Sequence, residues 1–385
     1  MNNLSFKRSI ALLLALAGLL CCACSKQQPE EDLRLEDVVI SDAQEQAAEE
    51  DQPQQGSALP CAVDGNVSYS SSIYLLMLQE SFQNLSLSTN LELSQLLDTS
   101  LKLSDGSVCS GADYIASEAE ENFRQHYVTE RLCRQAGLDI PQSAYYSMCL
   151  FYATQAYQSD PDYYDYFNIG TADLLEYYMS KYRYNDLFFA LYGQGGDREI
   201  EQGRLEELML HGAYRIQYIM LPLVDGAGSA LSQEEITQRQ QLCKDYLSRF
   251  EGGEDFTQLV FESYRYLDEA VEQTEDSNYD YYGSVTDGFT PEIRQAVQGL
   301  ADGQAALVES QQYCALVLKL PVNGDQGEKW RNAALQLAYA DREGREYDSY
   351  MAEQFAAIEP EYNQGVKALL TPENYAALLA EYTAG

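Results

Sequence analysis

The stretch "RIQYIMLPL", residues 215–223, decides how the middle of this chain is read. Rich in isoleucine and leucine, it predicts a β-strand within a sequence that otherwise reads as helix. A turn containing glycine and serine follows. Then "SQEEITQRQQLCKDYLSRFEGG" predicts a helix opened by a capping box, Ser232 with Glu235. The apolar face of that helix includes Ile236, Cys243, Tyr246, Leu247 and Phe250. "EDFTQLVFESYRYL" predicts a second helix, and "YDYYGSVTDGFTPEIRQAVQGLADGQ" a turn and a short helix. "CALVLKLP" closes the segment as an apolar strand stopped by Pro321. Residues 213–321 are therefore expected to form one small α+β unit.

Outward from this unit the grammar is helical on both sides. From Asn66 to Gly212 the clearest element is "ADYIASEAEENFRQHYVTERLCRQAGLDIP". It places Ile115, Ala119, Phe123, Tyr127 and Leu132 near one face at helical spacing and stops at Gly137. A tyrosine-dense region follows, "YYSMCLFYATQAYQSDPDYYDYFNIGTADLLEYYMSKYRYNDLFFALYG", and then "GGDREIEQGRLEELMLHG", another helix. Tyrosine joins an apolar body to a polar tip, so these rings suit helix-on-helix packing, and a few exposed ones suit a partly wet groove for peptide chains. Beyond the unit, Tyr347, Met351, Gln354 with Phe355, and Ile358 keep a 3.6-residue spacing, and Thr371-Pro372 marks a helix start. The expected organisation is a helical domain at 63–212, the α+β unit at 213–321, and helices at 322–385 that pack back on the first domain.

The N-terminus "MNNLSFKRSIALLLALAGLLCCACSK" has the parts of a secretory signal: Lys7 and Arg8, an apolar run from Ile10 to Leu20, and small residues before a cysteine. The run is shorter than the ~20 residues of a membrane-spanning helix. Residues 1–23 are similar to a bacterial lipoprotein signal, with Cys24, preceded by Ala23, as the lipidated residue; an ordinary cleaved signal is the alternative. Residues 24–62 are rich in Gln, Glu, Asp and Pro and predict a disordered acidic tether. The formal charge is −37, and loss of Lys7 and Arg8 with the signal makes it −39. Such a surface repels phosphate backbones, which argues against nucleic-acid binding. Six cysteines remain beyond the tether, Cys61, Cys109, Cys133, Cys149, Cys243 and Cys314. An even count permits disulfides outside the cytoplasm, but no spacing assigns their pairing.

Segment 213–320 resembles a parvulin-type prolyl isomerase domain. The first strand "RIQYIML", the helix start in "FEGGEDFTQLVFESY", the stretch "TPEIRQAVQGLADGQAALVES" and the last strand come in that family's order and spacing. The flanks, "YVTERLCRQAGLDIP" above all, resemble the helical chaperone part of extracytoplasmic foldases of the PrsA/SurA kind. The resemblance implies a mainly α protein with an inserted α+β parvulin-like domain, and a helical chaperone domain built from both flanks. It also implies a protein that holds unfolded or newly secreted polypeptides at the outer face of a bacterial membrane, without cofactor. The family's first-strand histidine falls at Tyr218, its last-strand histidine at Cys314 or Ala315, and its Asp/Cys position near Asp280. Its apolar proline pocket falls near Phe289 and Ile293. The chain's two histidines, His126 and His211, both lie outside the unit. Tyr218 and Asp280 are thus the candidate catalytic residues, Phe289 and Ile293 the candidate peptide pocket.

Other chemistry finds little footing. Two distant histidines without HExxH or CxxC argue against a metal site, and "GQGGDRE" at 193–199 lacks the Lys-Ser/Thr of a phosphate cradle and reads as a loop between helices. No G-x-S-x-G elbow accompanies either histidine. Two function classes besides a polypeptide-binding foldase stay open: an active prolyl isomerase, and a solute-binding lipoprotein, which would need two lobes of alternating strands and helices.

Overall fold

A computed structural model describes residues 59–225, 228–268, 270, 279–286 and 289–384. The signal at 1–23, the lipidation residue Cys24 and the tether up to residue 58 lie outside the described residues. The chain divides into two compact units, one ending at Leu191 and resuming at Asp348, the other running from Tyr192 to Tyr347.

The first unit is mainly helical. It opens with a hairpin of β1 (Pro60–Asp64) and β2 (Val67–Ser70), so the last residues of the expected tether are strand. Gly65 turns this hairpin at φ 60, a conformation glycine adopts without strain. Helix α1 (Ser71–Thr89) is buried around most of its circumference from Ile73 to Leu78, and a helix apolar all round belongs in a core. The one-turn α2 (Leu93–Leu96) leads to a second hairpin, β3 (Ser100–Lys102) with β4 (Val108–Ser110), which turns at Gly106. The first hairpin runs from the expected tether into the expected helical domain and the second lies wholly within that domain, and both are announced by an Asp-Gly pair.

Helix α3 (Gly111–Gln135) starts at a capping box of Ser110 and Asp113. Its first residue is glycine because a Cβ there would lie 1.8 Å from the Leu96 carbonyl oxygen. Ile115, Ala119, Phe123, Tyr127 and Leu132 are all buried, as their spacing predicts, and Gly137 follows the helix at φ 73. Four helices complete the N-terminal part: α4 (Tyr146–Ser159), α5 (Pro161–Tyr166), α6 (Thr171–Ser180) and α7 (Arg183–Tyr192).

Several of the tyrosines are packing residues. Tyr69, Tyr127, Tyr163, Tyr164 and Tyr177 are buried, and the Tyr163 hydroxyl lies 3.2 Å from that of Tyr375 and accepts from Gln79 Nε2 at 3.1 Å. Phe151 and Tyr152 on α4 stay exposed, because α4 turns Cys149, Ala153 and Ala156 inward.

The second unit starts with helix α8 (Gln202–Gly212), separated from α7 by the "GQGGDRE" loop. Its centre is a four-stranded antiparallel sheet in the order β6-β5-β8-β7, formed by β5 (Ala213–Pro222), β6 (Tyr281–Ser284), β7 (Ala305–Glu309) and β8 (Tyr313–Leu320). The sequence reading gives only β5 and β8; β6 stands where it predicts a turn. Helices α9 (Gln233–Glu251) and α10 (Phe256–Leu267) cover one face, and α11 (Pro291–Gly299) lies on the other. The capping box predicted for α9 is present: Ser232 Oγ accepts from Glu235 N at 3.3 Å, and Glu235 Oε2 accepts from Ser232 N at 3.0 Å. Strand β8 is buried on both faces from Tyr313 to Leu318, which is why it reads as an unbroken apolar run rather than an alternating one.

This unit is wider than residues 213–321. Helix α12 (Glu328–Tyr339) packs along α8, with Trp330 buried and Gly212 fitting beneath Leu337. Arg204 on α8 pairs with Glu343 at 3.1 Å and Asp341 at 2.6 Å. Helix α13 (Arg342–Ala357) then returns the chain to the first unit. There β9 (Glu361–Tyr362) pairs with β1, and α14 (Gln364–Lys367) and α15 (Pro372–Ala384) follow. The molecule is mainly α with an inserted α+β unit. Two lobes of alternating strands and helices, which a solute-binding protein would need, do not occur among the described residues.

Candidate functional site

Alternation along β5 divides the candidate residues between the two faces of the sheet. Tyr214, Ile216, Tyr218 and Met220 point to the α11 side; Ile219 and Leu221 point to the α9–α10 side. Tyr218 is half-buried there beside Phe289, over a floor of Ile216, Ile293, Val297 and Val317. Three of the sequence candidates, Tyr218, Phe289 and Ile293, therefore meet in one place, with Ile293 fully inside and Phe289 forming a wall.

The fourth candidate does not join them. Asp280 lies across from Gln217 at the start of β6, and its carboxylate is engaged in structure. Arg215 Nε donates to Oδ2 at 2.8 Å, the Arg215 Nη2 group donates to the same oxygen, and Gln217 Nε2 donates to Oδ1 at 2.9 Å. Gln217 Oε1 in turn accepts from Thr257 of α10 at 3.3 Å. The Asp280 side chain is 2% exposed. Tyr218 and Asp280 are thus not partners across one cleft, because their side chains leave the sheet on opposite faces.

Two residues that the sequence reading passed over shape the cleft. Tyr281 pairs with Ile216, so its ring stands on the Tyr218 face, 6.1 Å from Tyr218 and 5.1 Å from Phe289. Gly283, two residues on, has no side chain, and the Phe289 ring occupies the space: a Cβ there would lie 2.4 Å from Phe289 Cζ. Had "YYGS" been taken as a strand, period-2 alternation would have put Tyr281 and Gly283 together. Tyr264 of α10 stands at the rim. Burial raises the pKa of its hydroxyl, and the neighbouring Tyr218 raises it further. Tyr264 and Tyr281 are 36% and 39% exposed.

The electrostatics of the cleft are those of an apolar surface. Burial raises the Tyr218 pKa, with Tyr281 adding to the shift, so the phenol stays neutral at physiological pH. Its hydroxyl makes no hydrogen bond among the described residues. Of the two residues named for the second histidine position, Cys314 packs under α9, and Ala315, opposite Met220, lies on the Tyr218 side. His126 is buried in the helical unit with Nε2 3.1 Å from Glu176, and His211 lies at the end of α8. Among the described residues no group of three His, Cys, Asp or Glu side chains is placed to hold a metal ion.

No protein-family model matches the chain, and no curated protein matches it in sequence. Its structure is similar to that of PrsA from Bacillus subtilis at 12% identity over 69% of this chain and 95% of that one, with a TM-score of 0.37. It is also similar to the foldase protein PrsA from Streptococcus pneumoniae, at 12% identity over 70% and 98% of the two chains and a TM-score of 0.34. A third similar structure is the peptidylprolyl isomerase PrsA from Bacillus anthracis, at 13% identity, 62% and 98% coverage and a TM-score of 0.22.

Proposed function

We propose that this protein is an extracytoplasmic folding factor, tethered to the outer face of a bacterial membrane through lipid on Cys24, that grips extended segments of unfolded or newly secreted polypeptides. The observation that carries the reading is the cleft of Tyr218, Tyr281 and Phe289, an aromatic trough with a buried aliphatic floor and, among the described residues, no histidine or carboxylate bonded to Tyr218. The order of motifs in 213–320, which resembles the parvulin family, supports the same reading.

Grip and catalysis separate on physical grounds. Rotation about a prolyl peptide bond faces a barrier of about 18–20 kcal/mol. A catalyst lowers it only through contacts that are stronger to the twisted amide than to the planar one. Apolar walls hold both forms about equally, so this cleft binds without accelerating. Active isomerisation remains the second reading because the Tyr218 hydroxyl faces the cleft with no partner among the described residues.

The test of the chaperone role is light scattering. A denatured secreted protein is diluted out of denaturant alone and with a several-fold excess of this chain. Suppressed aggregation, weakened by Phe289→Ala, is the expected result. Aggregation unchanged by the wild-type chain would contradict the proposal.

A further inference from the structure

Beneath the sheet, on the side away from the cleft, two cysteines face each other. Cys243 comes from the buried side of α9 and Cys314 from the start of β8; both are completely buried in one apolar cluster with Tyr246, Leu259 and Leu316. Cys243 Sγ donates to the Cys314 carbonyl oxygen at 3.5 Å, and both side chains pack in the same cluster. The other described cysteines have different surroundings. Cys61 donates to the Ser70 carbonyl, Cys133 to that of Arg183, Cys149 is buried on α4, and Cys109 is half-exposed.

We propose that Cys243 and Cys314 are an oxidative cross-linking site, closed by thiol–disulfide exchange with a low-molecular-weight disulfide as the chain folds. Both residues are thiols in the structure, which therefore describes the reduced form. In the first step one of the two cysteines, as its thiolate, attacks one sulfur of the small disulfide, forming a mixed disulfide and releasing one thiolate. In the second, the other cysteine loses its proton and its sulfur attacks the protein sulfur of the mixed disulfide, releasing the second thiolate. The two protons lost by the cysteines end on the two small thiols. The protein gives up two electrons and the reagent accepts them.

Complete burial means that exchange takes place before α9 docks on β8 and that the finished bond is shielded from reductant. The pair lies on the far face of the sheet, so it is independent of what the cleft binds. The cross-link would join residues 71 apart in sequence, a span long enough for the constraint on the unfolded chain to be large.

The test is to unfold and reduce the whole purified chain, refold it in a glutathione redox mixture, alkylate free thiols and digest with trypsin without reduction. Cleavage after Arg239, Lys244, Arg294 and Lys319 places Cys243 in peptide 240–244 and Cys314 in peptide 295–319, neither holding another cysteine. The expected product is these two peptides joined by a disulfide. Alongside, the unfolding midpoint should fall by about 10 °C when the refolded chain is reduced. That shift should vanish in Cys243→Ala and persist in Cys133→Ala. Alkylated thiols at both positions, or either residue paired with a different cysteine, would overturn the proposal. A reductant-dependent shift of unchanged size in Cys243→Ala would overturn it as well. If Cys243→Ala does not fold, the peptide map of the wild-type chain decides alone.

Discussion

The two faces of the β6-β5-β8-β7 sheet are built from alternate residues of the same strands, yet they hold different chemistry. The face under α9 and α10 is where polar groups are spent: Arg215, Gln217, Thr257 and Asp280 are linked by hydrogen bonds, and Cys243 meets Cys314. The α11 face has an aromatic cleft around the Tyr218 phenol, and the Tyr313 hydroxyl on the same face donates to Glu292 at 3.2 Å. The candidate acid Asp280 is on the α9–α10 face, on the opposite side of the sheet from Tyr218. The surroundings of a residue in this unit are therefore set by which side of a strand it leaves, and only secondarily by residue type.

The difference can be broken most forcefully at Asp280. With side-chain exposures of 13% for Arg215 and 2% for Asp280, Asp280→Ala strands a largely buried guanidinium and should cost about 3–5 kcal/mol in urea unfolding. Peptide affinity measured well below the transition should stay within about two-fold. A loss of binding without a loss of stability would return Asp280 to the cleft.

Gly283→Val attacks the other face. Its side chain enters the space held by the Phe289 ring, so it should cost about 1–3 kcal/mol and weaken peptide binding about ten-fold. Phe289→Ala removes the same wall without a clash. It should weaken binding similarly by fluorescence titration and lower stability by about 1 kcal/mol, since the ring is only half-buried.

The smallest effect at neutral pH concerns the tyrosines on the two faces. Burial pushes Tyr246, under α9, up to about 12, and it raises Tyr218 as well. Both folded values lie above the ordinary 10. Their stabilisation is therefore complete below pH 10 and is lost as pH rises from there through the folded values. Tyr246→Phe should leave midpoints near pH 7 within about 0.5 kcal/mol and flatten the decline above pH 10. A variant whose alkaline limb matches wild type would show that this hydroxyl does not titrate on unfolding.

Much of the fold was legible because its signals were local. The Ser232–Glu235 box, the face from Ile115 to Leu132 and the Pro372 start of α15 each follow from a few adjacent residues. What was missed depended on partners distant in sequence. β6 is four residues long, and "YYGS" looks like a turn until Ile216 is known to lie beside Tyr281. The Asp-Gly turns at 64–65 and 105–106 were readable, but helical neighbours on both sides hid the short strands. At the site, Tyr218, Phe289 and Ile293 could be listed from sequence, whereas the separation of Asp280 from Tyr218 could not. One residue of register moves a side chain through the sheet, and the same ambiguity left Cys314 and Ala315 as equals.

The central claim is that the cleft grips without catalysing. It is tested most directly by measuring cis–trans exchange and binding together, with the whole chain and a panel of Xaa-Pro peptides, for wild type and Tyr218→Phe. The account predicts saturable binding by both proteins and an exchange rate equal to that of peptide in buffer. Exchange faster than in buffer with wild type, lost in Tyr218→Phe while binding persists, would contradict it and make Tyr218 a catalytic residue.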